Sequence, residues 1–115
     1  MRTKIGINII TKTAREQELL VRERESRAYY EDAYNGSLNA HAKKIINKYT
    51  NCYWDINSDT VYLKNGEVSN TIIFVFYNEK GIEKKALRAE LTKYIEGKFK
   101  RLFSLRAKSN ITRKN

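Results

Sequence analysis

From Lys98 onward the sequence sets Lys98, Lys100, Arg101, Arg106, Lys108, Arg113 and Lys114 within eighteen residues, with no Asp or Glu between them. Cations at that density do one kind of chemistry well: they neutralise phosphates. Each contact releases a condensed counterion, so the log of affinity falls with the log of salt at a slope of roughly 0.9 per phosphate on duplex DNA. The formal charge of +10 is therefore uneven. Residues 1–36 carry seven basic and six acidic groups, whereas residues 67–115 carry twelve and five. Lys43, Lys44 and Lys48 form a second basic group. Without Arg or Gln beside them, they suit holding a phosphate backbone more than reading base edges.

Tyr53 and Tyr62 offer a different chemistry. A two-residue turn at Asn57-Ser58 would set them opposite each other, on the sheet face away from Cys52, Trp54, Ile56, Val61 and Leu63. Ile73, Val75 and Tyr77 would join that face if the next strand pairs in register. Aromatic rings on an open sheet flanked by cations stack unpaired bases.

Catalytic signatures are lacking. The sequence has no Walker glycine loop, no G-x-S-x-G and no Gly-rich dinucleotide turn. Cys52 and His41 are each the single residue of their type, which excludes disulfide frameworks and Cys- or His-rich metal sets. A metal-dependent nuclease would have to use Asp55, Asp59 and Glu83, the last followed by Lys84 and Lys85. Turn chemistry accounts for Asp59, and the preference of acids for helix N-termini accounts for Glu83. A non-enzymatic protein without metal or cofactor is expected.

Elements must position these groups. Ile5, Ile7 and Ile9 alternate as in a short strand. Thr13 and Glu16 form a capping-box pattern that opens a helix over 14–34, laced by Glu18/Arg22 and Glu23/Arg27 pairs four residues apart. Its apolar stripe is diffuse, with Leu20 and Val21 off the main face, so it is a candidate homodimer contact. Asn35-Gly36 and Ser37 would end that helix and cap the next, whose stripe is Leu38, Ala42, Ile45 and Tyr49.

Strands follow around Cys52–Ile56, Thr60–Leu63 and Ser69–Tyr77, with Asn65-Gly66 marking a type I′ hairpin. The last of these is apolar on both faces and reads as the central strand. A turn near Asn78–Gly81 leads to a helix over 83–105 with Leu87, Leu91, Tyr94, Ile95, Phe99 and Leu102 on one side. Gly97 interrupts it at a bend or a close approach.

The predicted fold is α+β: a three-stranded antiparallel meander, with the N-terminal strand as a candidate fourth, packed with three helices in the order β-α-α-β-β-β-α. At 115 residues it makes one compact domain over 1–105, followed by a flexible basic tail over 106–115. No run reaches the 18 or more apolar residues of a membrane span, so a cytoplasmic protein without a membrane partner is expected. Heavy use of Lys, Ile, Asn and Tyr suits a phage or mobile element of a low-GC bacterium. Nucleic acid, DNA or RNA, is the expected partner. The alternative is an inhibitor or adaptor that docks on a host protein or ribonucleoprotein through the first helix and the second sheet face.

Overall fold

The computed structural model describes residues 2–29, 38–77 and 82–113, with side chains over 2–24, 38, 40–77 and 82–104. Its elements are β1 (Arg2–Thr11), α1 (Ala14–Tyr29), α2 (Leu38–Ile46), β2 (Trp54–Tyr62), β3 (Val68–Tyr77) and α3 (Lys84–Arg113). The three strands form one antiparallel sheet in the order β1-β3-β2. The α+β class, the three helices and the central place of β3 stand as expected. The N-terminal strand is a full partner along all of β3, with Ile5 opposite Phe74 and Ile7 opposite Ile72.

The expected turn at Asn57-Ser58 does not form. β2 runs unbroken through Asn57, Ser58 and Asp59, which lie opposite Ile73, Ile72 and Thr71 of β3. Turn-prone residues are tolerated here because β2 is an edge strand, where polar side chains meet water on a half-exposed surface. Two short strands thus become one, and the third strand is β1, which pairs with β3 across the intervening α1, α2 and β2. The sheet is a β2–β3 hairpin with β1 added on the other side of β3 rather than a meander.

The one tight hairpin lies where Asn65-Gly66 marks it, but its turn differs. Gly66 N–H donates to Leu63 O (3.2 Å) and Leu63 N–H to Glu67 O (2.9 Å). Gly66 sits at φ 86°, outside the turn's two central residues Lys64 and Asn65. This is the three-residue loop that ends in a left-handed glycine, not a two-residue type I′ turn. The Asn65 side chain secures it by accepting from Glu67 N–H (3.0 Å).

All three helices pack on one face of the sheet. Ile5, Ile7, Ile9, Ile72, Phe74 and Phe76 form the floor of the core; Leu20, Leu38, Ala42, Ile46, Leu87, Leu91, Ile95 and Phe99 close it from above. Leu20, expected off the main face of α1, is fully buried, because the helix rolls to bring it over the sheet. Thr13 caps α1 by accepting from Glu16 N–H (3.0 Å), while Glu16 accepts from Lys12 N–H (2.7 Å). Asn70, buried in β3, donates from Nδ2 to Gln17 Oε1 (2.9 Å), which also accepts from Thr11 Oγ1 (2.8 Å). That polar knot ties the start of α1 to the sheet.

α3 continues to Arg113, past the end expected at Leu105, and Gly97 does not break it. Nothing packs tightly there either: a Cβ on Gly97 would meet only Arg101 Nη1, at 3.9 Å. The expected caps at Asn35-Gly36 and Ser37 and the turn at Asn78–Gly81 lie outside the described residues.

Candidate nucleic-acid interfaces

The helix layer carries the first of two surfaces. α2 and α3 are locked side by side at two points. Glu90 accepts from Tyr49 Oη (2.5 Å) and Lys48 Nζ (3.2 Å), and the His41 ring stacks on Tyr94 at 5.1 Å and 16°. The Tyr49 hydrogen bond, and then that from Lys48, holds the Glu90 carboxyl below the ordinary range. Its partner Tyr49 is raised, first by the bond to Glu90 and then by burial.

Lys44 lies on α2 between His41 and Lys48, so it flanks this seam and is exposed. Across it a groove of about 530 Å³ is lined by Glu90, Lys93, Tyr94 and Arg101. The groove's one carboxylate, Glu90, is engaged by Tyr49 and Lys48, which leaves Lys93 and Arg101 as its outward charges. Lys43 and Lys100 are exposed on the same two helices, and Glu96 is an exposed acid of α3 one turn before Lys100.

Lys98 behaves differently from the rest of the basic run. Its Nζ lies 2.7 Å from Glu23 Oε1, with only 12% of the Lys98 side chain and 21% of the Glu23 side chain exposed. It also sits 5.9 Å from the Tyr94 ring centre. Lys98 therefore joins α3 to α1. Lys48, likewise, is drawn to Glu90. Arg106, Lys108 and Arg113 belong to α3, but their side chains, like all of Lys114, lie outside the described residues.

The second surface is the sheet face that no described helix covers. Strand alternation places Arg2, Lys4, Gly6, Asn8 and Ile10 of β1 on it, with Ser69, Thr71, Ile73, Val75 and Tyr77 of β3 between them and β2. Tyr53 precedes β2 and its carbonyl accepts from Tyr77 N–H (2.9 Å), so Arg2, Tyr77 and Tyr53 form one row across three strands. The Tyr53 and Tyr77 ring centres are 5.4 Å apart, tilted by 41°, and the Arg2 guanidinium lies 5.1 Å from the Tyr77 ring centre.

Tyr62 does not join them. Because β2 is continuous, Tyr53 and Tyr62 stand nine residues apart along the same segment, about 30 Å by strand rise. Tyr62 also has the parity of Trp54 and Ile56, opposite Val68, at an end of the sheet beyond the helices, where it is 77% exposed. The expected pair is replaced by Tyr53 with Tyr77. Arg2 and Lys4, which complete the row and its neighbour, carried no sequence signal beyond their place in a strand.

Asp55 and Asp59 share this open face, four residues apart, roughly 13 Å along the strand. Glu83 precedes α3, in the helix layer. Among the described residues, no three His, Cys, Asp or Glu side chains gather where they could hold a metal ion. No described helix is long and apolar enough to cross a membrane. Among the described residues, the helical cations Lys43, Lys44, Lys93, Lys100 and Arg101 and the tyrosine row lie on opposite sides of the sheet and do not converge into one groove. No protein-family model, curated protein or solved structure matches this chain.

Proposed function

We propose that this chain is a non-enzymatic nucleic-acid-binding protein of a phage or mobile element. It holds phosphates along the α2–α3 seam and the basic C-terminal part of α3. The observation that carries this reading is the seam itself. Lys93 and Arg101 line a groove whose only carboxylate is taken up by Tyr49 and Lys48, and Lys44 flanks it. Cations left facing outward beside a neutralised acid favour a polyanion over an acidic patch of the same protein. Phosphate contacts of this sort give affinity and position but carry no sequence information.

Titration of DNA and RNA duplexes and single strands over a salt series tests it. Binding at low salt should weaken steeply as salt rises. Lys93→Gln with Arg101→Gln should lower the slope by roughly two contacts' worth, about 1.8 on B-DNA. Absence of binding at low salt, or affinity flat with salt, would overturn it. A complex with a host protein that survives nuclease and high salt would replace it with the inhibitor or adaptor reading.

A further inference from the structure

We propose that the helix-free sheet face is a second site, which takes unpaired bases of a single strand over Tyr53 and Tyr77. This rests on the nucleic-acid reading above and adds a substrate class to it. Tyr53 is 72% exposed, so the ring contributes little to the core it adjoins. A cross-strand tyrosine pair placed only for sheet stability would gain more by lying flatter on the sheet and burying its faces. Instead Tyr53 stays largely exposed, next to a Tyr77 ring already flanked by a guanidinium.

The charges around the row give the site a direction. Arg2 and Lys4 lie on β1, at one margin of the sheet. Asp55 lies on β2 in the next row, with Val75 between it and Lys4. A phosphate backbone is attracted to the β1 margin by Arg2 and Lys4, so a strand that runs along β1 turns its bases inward over Tyr77 and Tyr53. The half-buried Ile73 adds apolar surface on the same face. Bases locked in a duplex cannot offer their faces to such a row, whereas unpaired bases of any sequence can. The partner is therefore single-stranded DNA or RNA, without a strong base preference.

Placement on opposite sides of the sheet makes the two surfaces separable by mutation. Fluorescence anisotropy with a labelled oligothymidylate, an oligouridylate and a DNA hairpin duplex reads both. Tyr53→Ala should weaken single-strand binding roughly 5- to 150-fold, the range for loss of one stacked base. It should leave duplex binding and the salt slope as in the parent, and Tyr53→Phe should restore the loss. Tyr53→Trp should show indole quenching on addition of the single strands and none with the duplex.

Single-strand affinity unchanged in Tyr53→Ala, in a variant whose circular dichroism matches the parent, overturns this site while leaving the seam untouched. If Lys93→Gln with Arg101→Gln changes nothing and Tyr53→Ala still weakens single-strand binding, the seam reading fails and this one stands. A nuclease-resistant protein complex abolished by Tyr53→Ala, with no effect on oligonucleotide binding, would also overturn it by assigning the face to a protein.

Discussion

Lys98 Nζ and Glu23 Oε1 are 2.7 Å apart, largely out of solvent, so the first cation of the basic C-terminal run is a strut between α3 and α1. A phosphate would have to break that strut to reach it. Lys98→Ala should therefore lower stability by roughly 1–3 kcal/mol, less than the figure for a fully buried pair because both side chains keep some exposure. Urea denaturation measures this. Lys98→Met with Glu23→Leu should recover much of the loss, since the two charges leave together. Its effect on the salt slope of nucleic-acid binding should be smaller than that of Arg101→Gln.

Two glycines should respond to alanine in opposite directions. At Gly97, inside α3 and facing only the end of the Arg101 side chain, Gly97→Ala should stabilise by about 0.5–1 kcal/mol through helix propensity. At Gly66 a Cβ would meet nothing within 4 Å, but φ is 86°. Gly66→Ala should cost about 1 kcal/mol through the backbone alone. Thermal or chemical unfolding of the two variants under the same conditions separates space from conformation.

The Tyr49–Glu90 bond predicts a plateau in stability with pH. Glu90 is lowered in the folded chain, so its contribution is present above its unfolded value of about 4.3 and lost as pH falls through the lower folded one. Tyr49 is raised, so its contribution is present below about 10 and lost as pH rises through the higher folded value. The difference in Tm between the parent and Tyr49→Phe should be constant between those limits and shrink at both ends. A difference that keeps growing toward acid would contradict the geometry.

Asn70 carries a fourth test. Asn70→Ala removes the donor to Gln17 and leaves a gap in the sheet floor; the lost hydrogen bond alone should cost about 1–3 kcal/mol. Asn70→Asp should cost more, because it sets a carboxylate against the Gln17 oxygen in a site 1% exposed. Equal loss in the two variants would mean that the Gln17 amide turns over to donate.

Much of the fold was legible in the chain because it depends on local periodicity. The Ile5, Ile7, Ile9 alternation, the Leu87–Leu91–Ile95–Phe99 stripe, the Thr13 cap and the two-faced apolar run of β3 are short-range patterns. Each has one economical burial. The failures came where a local preference competes with a long-range pairing. Asn57, Ser58 and Asp59 favour a turn by themselves, yet ten residues of β3 offer a ladder that holds them extended. A turn there would pair Tyr53 with Tyr62; the continuous strand sets it beside Tyr77 instead.

The same division runs through the candidate sites. Composition and order alone determined an α+β chain with a cation-rich C-terminal half, because charge and apolar period are properties of the residues themselves. Only the tertiary structure decided which cations remain outward. Lys98 and Lys48 are drawn to Glu23 and Glu90, residues far from them in sequence. It also decided that Arg2, Tyr77 and Tyr53 share one row, since strand register brings together residues that no spacing along the chain could relate.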